Sequence, residues 1–262
     1  MDSANKAKDA IVNLYKGDGR ASVVFKAVLA IIVVLLAVRL TKTVLLRYTK
    51  WNRSAPWLLK ATKDGKKRMI ILQDPLKDGS ISVYKSENQY GGLEFSYILW
   101  LYIDDWSYKF GQWKHILHKG NDSSWPLRAP GIWLHPNKNA IRVYMNTFKN
   151  IGEFTDLDNI PLGKWFHIAV CVKQRNLDIY MNGNMAKRHV LTGLPKQNWG
   201  DIYLNSFRGF SGFMSNIKYY NYYIPFSELD RQMNFGPSKG ACVDTHAAVP
   251  PYFASTWWAN VK

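Results

Sequence analysis

Residues 21–46 read ASVVFKAVLAIIVVLLAVRLTKTVLL, and the stretch from Ala27 to Val38 contains no charge, Gly or Pro. Charge returns only at Lys26, Arg39 and Lys42. A helix apolar on every side needs either a large protein core or lipid around it. A bilayer core takes roughly 20 mainly apolar residues. Ser22 to Leu40 supplies them if the heads of Lys26 and Arg39 snorkel outward. The reading is one membrane-spanning helix over 21–46, with Val24, Phe25, Val28, Leu29, Ile31, Ile32, Val34, Leu35 and Leu36 facing lipid. The other homes for such a run are a buried soluble helix or the plane of the interface.

The run comes late for a cleaved signal peptide, and Arg39, Lys42 and Arg47 follow it where a small-residue cleavage site would stand. It therefore reads as an uncleaved anchor. The C-terminal flank carries Arg39, Lys42, Arg47, Lys50 and Arg53, whereas the N-terminal flank has Lys16 and Arg20 diluted by Asp18. These five basic residues are expected to hold anionic head groups. Their excess predicts that the large C-terminal part lies on the cytoplasmic side. Tyr48, Trp51 and Trp57 stand where interfacial aromatics stand.

Charge is distributed unevenly. Residues 1–68 hold 15 Lys/Arg against four Asp, while the rest holds 20 against 15 acids. Most of the formal +16 therefore belongs to the anchor and its flanks. That favours an anionic lipid surface over a nucleic-acid-binding domain, and no specific nucleic-acid partner is expected. Two cysteines, Cys171 and Cys242, make no disulfide framework. Cys171 reads as a small core residue.

From Met69 the pattern changes to short apolar or alternating runs with turn residues between them. These are 69–72, 80–84, 93–103, 114–118, 131–135, 140–145, 165–172, 177–181, 201–205 and 212–220. The spacing predicts an antiparallel sandwich or barrel. Alternation puts Phe166, Ile168, Val170 and Val172 on one face and His167, Ala169 and Cys171 on the other. Asn182-Gly183 predicts a hairpin between 177–181 and 185–190. Near the end, 225–233 predicts a short helix capped by Ser227.

The segments LGKWFHIAVCVKQRNLDIYMNG and GDIYLNSFRGFSGFMSNIKYYNYYIPFSELDRQMNFGP resemble the laminin-G-like, concanavalin A-like jelly-roll family. The resemblance rests on Trp165 entering a strand, Tyr180 to Gly183 ending one, Gly200 to Leu204, Gly212 to Tyr219, and Ser227 to Met233. It spans about 69–236 and implies a jelly-roll β-sandwich. An N-terminal membrane helix on such a domain also resembles minor capsid and membrane proteins of large DNA viruses, such as those infecting chlorella algae. That second resemblance implies a virion membrane protein contacting neighbouring capsid or membrane proteins.

Catalytic patterns are missing from the sequence. Jelly-roll glycosidases need two carboxylates flanking the sugar bond. The four Glu here (Glu87, Glu94, Glu153, Glu228) stand in no Glu-x-Asp-x-Glu pattern. His115 and His118, three apart on a strand, are expected on opposite faces, and no His/Cys spacing suits a metal. The family sometimes holds calcium at its rim, for which Asp104, Asp105, Asp122, Asp156 and Asp158 are the available loop acids. No cofactor is expected beyond that option. Trp106, Trp113, Trp125, Trp133 and Trp199 lie in or near loops, where an indole either joins the core or stacks on a sugar ring.

The expected layout is a polar segment (1–20), the spanning helix (21–46), a basic juxtamembrane linker (47–68), the jelly roll (69–236) and an aromatic tail (237–262). In the tail, Tyr252, Phe253, Trp257 and Trp258 are too apolar for a free end and are expected to pack back or dock onto a partner. The expected role is a non-enzymatic tether between an inner viral membrane and the capsid shell. The alternative is a membrane-bound carbohydrate-binding module that takes a glycan.

Overall fold

The computed structural model describes residues 15–17, 19–86 and 92–240. The chain divides into two units, Met1–Asn52 and Arg53–Lys262. The tail residues Tyr252, Phe253, Trp257 and Trp258 lie outside the described residues, as do Cys242 and Glu87.

Helix α1 (Arg20–Ser54) has 35 residues. At 1.5 Å per residue it is about 52 Å long, well beyond a hydrocarbon core of about 30 Å. It overruns the expected end at residue 46 because no Gly or Pro interrupts it before Pro56, which disfavours helical backbone at Ala55. Thr41, Thr43 and Thr49 donate their hydroxyls to the carbonyls of Ala37, Arg39 and Leu46, so they are satisfied within the helix. Ser22–Lys50 is long and apolar enough to cross a membrane, and none of its most apolar stretch is buried by the rest of the chain. Val24, Val28, Leu29, Ile31, Ile32, Val34, Leu35 and Leu36 are exposed, and Phe25 is half-buried. Among the described residues no protein core covers this stretch. The Lys26 amine turns back to the Gly17 carbonyl at 3.4 Å.

Arg39, Lys42, Arg47, Lys50 and Arg53 are all exposed on α1. At about 100° per residue they fall within an arc of about 140°, which Thr43 and Leu46 share. Leu40, Val44, Leu45 and Tyr48 lie across from them. The helix is apolar all round in its first half and two-faced in its second.

The second unit is a sandwich of two six-stranded antiparallel sheets. One runs β1 (Trp57–Asp64), β12 (Ser211–Tyr220), β3 (Glu94–Asp105), β8 (Trp165–Lys173), β9 (Asn176–Met181), β10 (Asn184–Val190). The other runs β2 (Met69–Ile71), β11 (Asp201–Leu204), β4 (Lys114–Gly120), β5 (Arg128–Leu134), β6 (Ala140–Tyr144), β7 (Phe154–Asp158). Leu99, Leu101, Phe166, Ile168 and Val170 from the first sheet meet Ile116, Ile132, Ile141, Val143 and Ile202 from the second in a dry core. Burying each such side chain contributes roughly 1.5–3 kcal/mol. Alternation along β8 falls as expected: Ala169 and Cys171 point outward into a second cluster with Ile98, Tyr220, Ile224 and Leu229. Burial pushes the Cys171 thiol up to about 12. The β9–β10 hairpin turns at Asn182 (φ 48°) and Gly183 (φ 80°), the positive-φ pair the sequence predicts.

Further departures from the sequence reading lie in this unit. The stretch 57–64, read as linker, is edge strand β1, paired with β12. Two register shifts break its alternation, and Lys60 and Lys63 make it read as solvated. Residues 80–84 form no strand, being held by side-chain bonds described below. Strand β7 was not foreseen. Helix α2 (Phe226–Asn234) starts at Pro225 with extended backbone and no side-chain cap, so Ser227 does not cap it. Its buried Leu229 and Gln232 seat it on the outer cluster.

Candidate functional site

A cleft of about 290 Å³ opens where the loop after β2 faces the end of β4 and the segment leading into β11. Its walls include Gln73, Ser82, Tyr84, Lys85, Lys119 and Trp199. A smaller recess lined by Tyr97, Asn198 and Tyr219 shares the wall of Val83, Tyr84, Lys85 and Lys119.

Gln73 builds the loop wall. Its backbone N–H donates to Asp201 Oδ1 at 2.8 Å, and its Oε1 accepts the Val83 N–H at 2.9 Å. Its Nε2 donates to the Ile81 carbonyl at 2.9 Å, and its own carbonyl accepts Ser82 Oγ at 3.1 Å. From the other sheet, the Tyr219 hydroxyl donates to the Tyr84 carbonyl at 2.6 Å. This side chain does for residues 81–83 what a ladder does for a strand, which is why an alternating run is irregular here.

The opposite wall depends on close backbone approach. A Cβ on Gly200 would stand 2.2 Å from the Gly120 carbonyl oxygen, so only glycine fits. Asn198 Nδ2 donates to the Lys119 carbonyl at 3.0 Å, and Asn198 Oδ1 accepts the Gly200 N–H at 3.0 Å. The turn so formed presents Trp199 to solvent, 76% exposed. The Lys85 amine lies 3.9 Å from the centre of its ring. Lys119 is 6% exposed, and its Nζ donates to the Gly200 carbonyl at 2.5 Å. Among the described residues that is its one acceptor, so two of three ammonium protons are left for a ligand or water. Burial lowers its pKa to about 8; Asp201 opposes the shift and Lys85 adds to it.

The outer face of the second sheet carries aromatics interleaved with cations. The Arg142 guanidinium lies 3.6 Å from the Phe154 ring centre and forks onto Asp156 at 2.6 and 2.8 Å. Arg128 lies 3.5 Å from the Tyr144 ring. Next to this run, His115 and His118 meet on one side of β4, contrary to the spacing argument. A register shift between His115 and Leu117 inserts a bulge, which changes which face each residue takes. Both rings pack among Trp133, Tyr203 and Phe207.

Among the described residues the three Glu are tied into structural bonds. Glu153 accepts from the Thr192 N–H and from the hydroxyls of Thr192 and Thr147. Burial raises its pKa, but these bonds outweigh burial and hold it below the ordinary range. Glu94 accepts the Tyr223 N–H and pairs with Lys173; Glu228 binds Tyr220, Gln232 and Arg231. Of the loop acids, Asp122 pairs with Arg68, Asp156 with Arg142, and Asp105 takes Ser107, while Asp104 and Asp158 are exposed. Among the described residues, no three of His, Cys, Asp and Glu come together to hold a metal.

Of the candidate indoles, Trp133 is buried, Trp106 packs on the core and Trp113 is half-buried beside Arg142. Trp125 and Trp199 are exposed, and only Trp199 lines the cleft. Sequence reasoning missed Lys85, Lys119 and Gln73. The one local signal was Trp-Gly-Asp at 199–201, a bulky aromatic beside an obligatory glycine.

No curated protein sequence matches the chain. Among solved structures of similar fold is the receptor binding domain of botulinum neurotoxin D, with TM-score 0.48 and 9% identity, covering 70% of this chain and 53% of that one. Another is the binding domain of botulinum neurotoxin DC in complex with SialylT, with TM-score 0.44 and 13% identity, covering 54% and 35%. The chain thus spans about a third to a half of the length of these domains. A family model described as the concanavalin A-like lectin/glucanases superfamily matches residues 77–228. That is more than half of the sequence and lies inside the stretch 69–236 read as a jelly roll, and the chain belongs to this superfamily.

Proposed function

We propose that the chain is a membrane-anchored, non-catalytic module that binds a saccharide in the Trp199 cleft. The observation that carries this reading is a 76% exposed indole forming a wall of a cleft whose other walls carry the Lys85 and Lys119 amines. An uncovered indole lowers its free energy by meeting an apolar face, and the CH face of a pyranose is one. Buried carboxylates committed to structural bonds support a binding role over hydrolysis. The test is a glycan array probed with the full chain in nanodiscs. Binding that disappears in Trp199→Ala is expected; an array blank for the parent chain overturns the reading.

The tether between an inner viral membrane and a capsid shell is the second reading, favoured by the uncovered α1 and its basic stripe. It needs the anchor and the fold but makes no use of the cleft. The two readings also differ in topology. Saccharide capture suits a domain facing away from the cytoplasm, whereas the basic flank predicts the reverse. Protease protection of sealed vesicles separates them.

A further inference from the structure

Among the described residues, the cleft gathers two lysine amines, Lys85 and Lys119, and no salt bridge pairs either of them. Lys85 half-buries its side chain against Trp199, and its charge bears on Lys119. Lys119 is itself buried, with the Gly200 carbonyl as its acceptor among the described residues. Asp201, the nearby acid, has Oδ1 engaged by the Gln73 N–H and makes no ion pair with either amine among the described residues. Two like charges held together at a cleft wall, one of them cut off from bulk water, are stabilised by an anion placed between them. Beside them stands an aromatic surface, which an inorganic anion leaves unused.

Building on the saccharide reading, we infer that the ligand is an anionic saccharide, one whose carboxylate or sulfate sits at the Lys85 and Lys119 amines while its sugar ring lies against Trp199. The amines supply charge-assisted hydrogen bonds, and the indole supplies the apolar contact that separates a sugar from a bare ion. A neutral sugar would offer the Lys119 ammonium only hydroxyl acceptors, without charge assistance, and would bind more weakly.

The experiment uses the full chain in phosphatidylcholine nanodiscs and calorimetric titration with three probes: tetragalacturonate, its methyl ester and inorganic sulfate. The ester keeps the skeleton and removes the charge. Tetragalacturonate is expected to bind about tenfold or more tighter than the ester, since charge-assisted bonds are about twice as strong as neutral ones. Lys85→Ala, at a half-buried position where folding is not at stake, is expected to reduce the acid to the level of the ester. Lys119→Met is expected to do the same, and Trp199→Ala to weaken both sugars. Equal binding of acid and ester overturns the anionic preference and leaves the saccharide reading standing. Sulfate competing as well as the sugar overturns the saccharide as ligand, and binding unchanged in both Lys85→Ala and Trp199→Ala places the anion elsewhere and overturns the site. Absence of binding to either sugar, with a blank array, overturns both inference and reading.

Discussion

The Nε2 of His115 and the Nδ1 of His118 lie 2.6 Å apart across the β4 bulge. Their outer nitrogens fix the direction of that bond. His115 Nδ1 receives the Ser206 N–H at 2.9 Å and so carries no proton. His118 Nε2 faces the Asn121 carbonyl at 2.7 Å and so must donate. The proton between the rings therefore sits on His115 Nε2, and every ring nitrogen is satisfied with both rings neutral. Protonating His115 would set its Nδ1–H against the Ser206 N–H.

This arrangement makes stability depend on pH. Burial, with His118 beside it, holds His115 well below the usual imidazole range, and burial takes His118 to about 4. Burial also takes His167, beside Trp100, to about 3. In the unfolded chain all three titrate near 6.5, so between about 4 and 6.5 the unfolded state binds more protons. Stability is then fully present above about pH 6.5 and falls as pH drops through that window. The His118 displacement alone corresponds to roughly 3 kcal/mol. Urea unfolding followed by tryptophan fluorescence from pH 7.5 to 4 measures the slope. His118→Gln should flatten it, and a slope identical to that of the parent would show that the relay does not govern it.

Gln73 replaces a strand by side-chain bonds, so removing it should free one wall of the cleft. Gln73→Ala deletes three bonds made by the side chain's Oε1 and Nε2, to Val83, Ile81 and Ile71. At about 0.5–1.5 kcal/mol each the expected loss is about 2–3 kcal/mol, mostly local. Hydrogen exchange should show the Val83 amide losing protection while the β3 and β8 amides keep theirs. Uniform loss across the sandwich would mean that the loop is not an independent element.

The jelly roll was legible because its evidence is periodic. Trp165 to Val172 alternates cleanly, and Asn182-Gly183 can do little but turn. Two of the features that escaped share a local break in period two, whereas the short β7 alternates cleanly. Strand β1 has two register shifts in eight residues, and the β4 bulge reverses the face assignment of His115 and His118. The cleft escaped for a different reason. Lys119 is an ordinary lysine in sequence, and its character comes from Gly120 and Gly200 meeting across 80 positions. Residues 80–84 have the composition of a strand, but Gln73 reaches them before any ladder does.

Glu153 tests the structural assignment of the carboxylates. It is 5% exposed and collects one amide and two hydroxyl bonds that tie the β6–β7 turn to Thr192. Glu153→Ala should cost about 2–4 kcal/mol by leaving those donors unpaired. Sugar binding by the folded variant should be unchanged, because Glu153 lines no part of the cleft. Thermal denaturation and calorimetric titration of the same sample check the two statements. A stable variant without binding would move Glu153 from structure into function.

The stripe on α1 separates insertion from orientation. The uncharged stretch from Ala27 to Val38 is untouched when Arg39, Lys42, Arg47, Lys50 and Arg53 all become Gln, so apolar burial still favours the bilayer. The basic excess next to the span is lost, leaving Lys16 and Arg20 to compete only with the more distant Lys60, Lys63 and Lys66. Each basic residue near an anionic leaflet contributes about 1 kcal/mol, so five together outweigh thermal scrambling by a wide margin. The five-fold variant should therefore remain in the membrane fraction after carbonate washing while its jelly roll becomes mixed or reversed in protease-protection assays. Release by carbonate would show instead that the second half of α1 lies along the surface and holds the chain there through its charges.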